Sequence, residues 1–136
     1  KQIKKKRDSI LDGVPIALPA LLKARRIQEK ASGVGFDWNN VDRVIEKVDE
    51  EIIELKEAII NNDGIEEELG DVLFTIVNVS RHLNKNPEQA LKKSIIKFKE
   101  RFKLIEKDLK SKKINMKDLS LEELDIIWEK NKNNYK

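Results

Sequence analysis

The 136-residue chain carries 28 basic and 25 acidic residues, a single His and no Cys. That length suits one domain with a single core of packed helices, and the missing Cys and lone His exclude disulfides, thiolate metal sites and His-rich zinc sites. A net charge of +3 is too small an excess to argue for nucleic acid, where basic residues dominate one surface. No apolar run approaches the ~20 residues needed to cross a bilayer, and no signal-like apolar stretch follows the basic start, so no membrane partner and a cytoplasmic location are expected. The absence of an initiator Met points to an excised domain or a processed chain.

Residues 1–14 hold the basic run 4–7 and the turn-like Leu11-Asp12-Gly13, and read as an N-terminal arm or linker ahead of a domain over residues 15–136. Pro19 fits the first turn of a helix that runs to about Ala31 and stops at Gly33. A connector over 33–38 follows, in which Trp38 packs at the entry to the next helix and Asp37 or Asn39 caps it. The second helix is expected over residues 40–61, with Val41, Val44, Ile45, Val48, Ile52, Leu55 and Ile59 as its buried stripe. Glu51 falls at the edge of that stripe, Lys47 and Glu54 lie on the same flank, and Glu50 is nearly opposite. A turn at 61–64 leads through an Asp63/Glu66 capping box into a third helix with a stripe of Ile65, Leu69, Val72, Leu73, Ile76 and Leu83. Glu68, Asp71, Thr75 and His82 follow one flank. His82 is about 16 Å beyond Asp71 along a helix, which makes it a surface or capping residue.

Asn86, Pro87 and Gln89 open a fourth helix whose stripe is Leu91, Ile95, Phe98, Phe102, Ile105 and Leu109, while Lys93, Lys97 and Arg101 recur every four residues on another face. After a loop near 111–117, Ser120 and Glu123 form a capping box for a fifth helix with Leu121, Leu124 and Trp128 on one side. Residues 131–136 are expected to fray. The fold class is therefore all-α, a bundle of about five helices, with a site built from facing acidic helices.

The chemistry rests on two acidic clusters, 49–54 and 66–71. Each ends in carboxylates three residues apart, Glu51/Glu54 and Glu68/Asp71, which share a helix side one turn from each other. Such like-charge crowding is mildly destabilising by itself, and on flanks that border buried stripes an unpaired carboxylate is costly. A hard divalent cation, Mg²⁺ or Mn²⁺, removes that cost and prefers an oxygen-only cage. Lys97 and Arg101 read either as a solvated face or as partners of a polyphosphate. Trp128 reads as core or as a stacking surface for a nucleobase. A ferritin-like di-iron bundle would need Glu-x-x-His pairs, and neither cluster has one.

The eight residues 47–54, thirteen more, then Glu68-Leu69-Gly70-Asp71 resemble the EExxE…ExxD pattern of the MazG nucleoside triphosphate pyrophosphohydrolases. The resemblance extends to residues 18–21, 34–38, 66–74 and 78–83, to Lys97-Phe98 and Arg101-Phe102, and to 121–128, covering about residues 9–132. It implies an α-helical, MazG-like enzyme, a homodimer or higher oligomer, that converts a nucleoside triphosphate to the monophosphate and pyrophosphate with Mg²⁺ (Mn²⁺ as substitute), in nucleotide-pool cleaning or regulation. It further implies Glu51, Glu54, Glu68 and Asp71 as metal ligands, and Lys47, Lys97, Arg101 and Trp128 as nucleotide-binding positions. Glu50 is a candidate base beside them. Members also occur in tandem or fused to other domains, so the basic arm reads equally as a former linker. The alternative from another class is a non-catalytic helical dimerisation module with solvated acidic faces.

Overall fold

Helix boundaries follow from local backbone chemistry in the computed structural model, which describes residues 8–132. The order is α1 (Ala20–Ser32), α2 (Val41–Asn61), α3 (Ile65–His82), α4 (Pro87–Ser111) and α5 (Leu121–Lys132), with 3₁₀ turns at Ile10–Gly13 and Met116–Asp118. No strand occurs among the described residues, so the all-α expectation holds. Among the described residues no helix is long and apolar enough to cross a membrane. The chain divides into two units, residues 1–88 and 89–136.

In the first unit, Pro19 stands directly ahead of α1 and its carbonyl accepts from the Lys23 N–H. Its ring fixes a backbone angle compatible with helix entry. Within the segment read as an arm, Ser9 and Asp12 close a capping box around the first 3₁₀ turn and Val14 is buried; the basic run 4–7 lies outside the described residues. The cap of α2 is Asn40, whose Oδ1 accepts from the Arg43 N–H at 3.1 Å. Neither Asp37 nor Asn39 takes that place. The Asp63/Glu66 capping box does not form either: Asn62 and Gly64 both adopt left-handed φ (50° and 70°), Gly64 becomes the N-cap, and α3 has no side-chain cap. Helix entry one residue later puts Glu66 at the second helical position, where it cannot reach back to close the box.

Helices α2 and α3 fold back on each other through residues 62–64, and α1 lies against α3. On α2 the buried positions are Val44, Glu51 and Ala58, seven apart, with Val48 and Leu55 half-buried between them. This 4-3 line is a helix-packing seam, and a carboxylate occupies its middle. The expected stripe was broader: Ile45, Ile52 and Ile59 are exposed and form a second line on α2. On α3, Val72, Thr75, Val77 and Asn78 are buried, whereas Ile65, Leu69, Leu73 and Ile76 are exposed, as is Leu83 just past its end. Apolar residues thus run along two faces of each helix, and among the described residues of the first unit the packing of α2 and α3 buries only one of them.

Asp37 holds the connector to the last turn of α3. Its Oδ1 accepts from Arg81 Nη2 at 2.6 Å, from the Trp38 N–H at 2.8 Å and meets His82 Nε2 at 2.9 Å; its Oδ2 accepts from Ser32 Oγ at 2.9 Å. His82 is therefore a largely buried partner of Asp37, with 11% of its side chain exposed, and not a surface residue. The Arg81 guanidinium holds the Asp37 carboxyl well below the usual range, helped by Ser32, His82 and the Trp38 N–H against the opposing effect of burial.

The second unit contains the rest of α4 and α5. Just before it, at the end of the first unit, Asn86 Oδ1 accepts from the Glu88 N–H at the start of α4. Ser120 Oγ accepts from the Glu123 N–H while Glu123 Oε1 accepts from the Ser120 N–H, so the capping box of α5 forms as expected. Ile105 and Leu109 are buried. Phe98 sits 5.9 Å from Phe102 and 5.3 Å from Trp128, centroid to centroid. The helix runs through Lys132, with Asn131 Nδ2 donating to the Ile127 carbonyl; the rest of the expected frayed tail lies outside the described residues.

A depressed carboxylate pKa gives stability that is complete above the unfolded-state value, 3.8 for Asp37, and is lost as pH falls through the folded one. Replacing Asp37 by Asn is expected to cost about 1.5–3 kcal/mol at neutral pH, the scale of hydrogen bonds to a charged group. That deficit should shrink as the pH is lowered beneath 3.8. Denaturant melts of both proteins across this range check it; a pH-independent deficit would contradict the ionic role.

Candidate metal centre

Two adjacent helices supply the acidic groups. Glu51 occupies the buried seam of α2 and is only 7% exposed; Glu68 is half-buried near the start of α3, and Asp71 is exposed one turn later. One carboxylate oxygen from each of the three lies within 4.8 Å of the other two. The Oε2 atoms of Glu51 and Glu68 are shut off from solvent with no hydrogen-bond partner. A buried, unpartnered carboxylate oxygen is among the most costly features a fold can carry.

Glu51 Oε1 has a partner, Lys47 Nζ at 3.2 Å, one turn earlier on α2. The hydrogen bond to Glu51 holds the Lys47 ammonium above its usual range, with the charges of Glu51, Glu50 and Glu54 adding to it against the opposing effect of desolvation. Glu54 is pushed up by hydrogen bonding with Glu51, then by the Glu51 charge, by desolvation and by Glu68. Glu68 is pushed up by desolvation first, then by Asp71 and Glu51, with Glu67 and Glu57 adding more distant repulsion. A local excess of negative charge contributes to all three shifts, behind desolvation in the case of Glu68. Behind Asp71, Thr75 Oγ1 donates to the Asp71 carbonyl at 2.8 Å.

Of the four expected ligands, three therefore converge, and Glu54, exposed one turn after Glu51 on α2, is near enough to Glu51 for its carboxyl to be raised first by that neighbour. Glu50 is exposed on α2. In the second unit Lys97 is exposed on α4, and the Arg101 guanidinium lies 5.7 Å from the centroid of the Trp128 ring. The donor set fits a hard cation. Oxygens on opposite sides of Mg²⁺ stand about 4.1 Å apart, twice an Mg–O bond of about 2.05 Å, so a small inward movement of side chains would let these three bind one ion. No local sequence pattern announces the Asp37–Arg81–His82 cluster, although its residues stand in two of the segments that carry the resemblance.

An all-α chain that brings carboxylates together from two paired helices is, in class, a helical protein built around an acidic cage. The family model of the MazG nucleotide pyrophosphohydrolase domain matches residues 39–106, half of the chain, and the chain belongs to that family. The matched stretch takes in Lys47, Glu50, Glu51, Glu54, Glu68, Asp71, Lys97 and Arg101 and ends before Trp128. The chain is 49% identical over 128 residues to the nucleoside triphosphate pyrophosphohydrolase/pyrophosphatase MazG of Thermotoga maritima, covering 94% of this chain and 50% of that protein. It is 38% identical over 133 residues to the nucleoside triphosphate pyrophosphohydrolase of Escherichia coli K12, covering 95% and 51%. A third relative, the uncharacterized protein YabN of Bacillus subtilis, is 42% identical over 123 residues, 88% of this chain and 25% of that protein. The chain thus spans about half the length of the first two relatives and a quarter of the third.

A carboxylate whose folded pKa is raised contributes stability that is present below its unfolded value, 4.5 for Glu54, and lost as pH rises through the folded one. Glu54→Gln should therefore leave the metal-free protein at least as stable as the parent at pH 7, with the difference vanishing below 4.5. Added Mg²⁺ should stabilise the parent by about 2.7 kcal/mol at a hundredfold excess over its dissociation constant, and the Glu54→Gln protein by much less. Glu46→Gln, at an exposed position paired only loosely with Arg43 (4.0 Å), should respond like the parent. Melting curves with Mg²⁺ or EDTA decide; equal Mg²⁺ responses in all three would reduce the cluster to a solvated face.

Proposed function

We propose that this chain hydrolyses nucleoside triphosphates to the monophosphate and pyrophosphate, with Mg²⁺ (or Mn²⁺) held by Glu51, Glu68 and Asp71 and with Glu54 completing the ligand set. The observation that carries this reading is the convergence of three carboxylates from two helices, two of them with buried oxygens that have no protein partner. The names of the Thermotoga and Escherichia relatives supply the reaction class.

Bound Mg²⁺ would acidify a water and offset charge on the phosphates. Lys47 already lies against Glu51, and turning its ammonium toward a phosphate oxygen would keep it beside the cage. Lys97 and Arg101 would hold further phosphate oxygens; guanidinium suits this because its planar fork matches the oxygen geometry. Trp128 would offer its ring face to the base. Glu50, exposed next to Glu51, is the group we assign to accept a proton from water. The second apolar lines on α2 and α3 support a homodimer, since contiguous apolar surface of this kind marks interaction sites. A role in clearing or regulating the nucleotide pool follows from the reaction.

Incubating the purified chain with a panel of NTPs and dNTPs plus Mg²⁺ should yield monophosphate and pyrophosphate. Inorganic phosphate as the sole primary product, or no turnover of any nucleotide, would overturn the reading in favour of a non-catalytic dimerisation module.

Removing the Arg101 side chain (Arg101→Ala) should lower kcat/KM by an amount equivalent to about 1.5–3 kcal/mol, the worth of a hydrogen bond to a charged group. Unchanged kinetics for both Lys97→Ala and Arg101→Ala would return these residues to a solvated face.

A further inference from the structure

The second unit contains a cavity of ≈ 300 Å³ between α4 and α5, with Phe98, Phe102, Met116, Leu124 and Trp128 among its apolar walls and Asp125 as its one charged lining residue. Asp125 precedes Trp128 by three residues on α5, so the two share a helix side. Asp125 is exposed, and among the described residues no ion pair engages its carboxylate. The walls are largely aromatic, and the Arg101 guanidinium stands over the Trp128 ring, 5.7 Å from its centroid. Flat aromatic surfaces accept any planar heterocycle by stacking and discriminate little among bases. Discrimination has to come from the polar group at the edge.

We propose that Asp125 selects the base of the nucleotide at this pocket and favours guanine. This rests on the nucleotide chemistry proposed above and goes beyond it by naming a preferred base. An ionised carboxylate only accepts hydrogen bonds, and its two oxygens accept best from two parallel donors. Guanine presents such a pair, N1–H beside the N2 amine. Adenine and cytosine present one exocyclic amine next to a ring-nitrogen acceptor, so one carboxylate oxygen is left facing a lone pair. Uracil and thymine present a single N3–H flanked by two carbonyl oxygens, which the carboxylate repels. The expected order is guanine first, adenine and cytosine next, uracil and thymine last.

The test uses direct binding in the absence of divalent metal. The chain has two Trp residues, and Trp38→Phe leaves Trp128 as the sole indole reporter. GMP, AMP, CMP and UMP carry the same phosphate, so differences among their quenching curves isolate the base. GMP should reach half-saturation at a concentration lower than UMP by about tenfold or more, the scale of a charge-assisted hydrogen bond. Asp125→Asn replaces one acceptor oxygen by a donor amine and should bring that ratio to within about twofold; Asp125→Ala should do the same, with thermal melts confirming that both variants fold. Equal curves for GMP and UMP, no quenching by any of the four at millimolar concentration, or a preference that survives both substitutions would each overturn the proposal. Triphosphate turnover with Mg²⁺ is measured in parallel. Turnover without base selection removes only the role of Asp125, whereas selective GMP binding in a protein that cleaves no triphosphate removes hydrolysis and leaves the pocket standing.

Discussion

Glu51 is the residue on which this molecule turns. Val44, Glu51 and Ala58 lie on one line of α2, and any hydrophobic residue at the middle position would complete an ordinary helix seam. A carboxylate there forfeits hydration and sets one charge inside the contact between the two most closely packed helices. Every neighbouring charge then acquires a meaning relative to it. Lys47 pairs with it, Glu54 is driven toward its protonated form chiefly by it, Glu68 is raised first by desolvation and then by Asp71 and Glu51, and Asp71 closes the group. A sequence under no demand but stability would not retain this arrangement, because a well-packed apolar substitute for a buried charge is commonly neutral or better.

Much of the architecture was legible in the sequence, for reasons that differ from element to element. The capping box of α5 was readable because Ser120 and Glu123 interact only with each other's backbone, within one turn. The Asp63/Glu66 box was not, because two left-handed residues at Asn62 and Gly64 shift the helix start by one position, and that choice depends on how α3 must return along α2. The apolar positions of α2 were recognised as a set, but periodicity cannot say which of two neighbouring lines is covered by the same chain. Ile45, Ile52 and Ile59 have the same spacing as Val44, Glu51 and Ala58 and end up exposed.

The acidic residues stood out because like charges at helical spacing repel one another on flanks that border buried stripes, and spacing alone placed Glu51 rather than Glu50 toward the seam. The cluster of Asp37, Arg81 and His82 could not be foreseen in the same way. Its members are 44 and 45 residues apart, and no local pattern announces a pairing at that distance. His82, read in isolation along α3, looked like a surface residue because the partner that buries it comes from the connector ahead of α2. Asp125 was invisible for a related reason. One Asp on a polar helix face carries no signal until the aromatic walls beside it are assembled.

That long-range cluster has a mechanical consequence for the cage. The hairpin of α2 and α3 is joined covalently at one end by residues 62–64, and at the other end Asp37, just ahead of α2, grips Arg81 and His82 in the last turn of α3. The two helices are therefore fastened at both extremities, like a ladder with both end rungs in place, and the carboxylates sit along the span between. Mutual repulsion in such a frame has no route to relief by splaying. The Glu54 carboxyl is raised first by Glu51, and that of Glu68 first by desolvation with repulsion from Asp71 and Glu51 behind it; an excess of negative charge that favours a proton also favours a cation of higher charge.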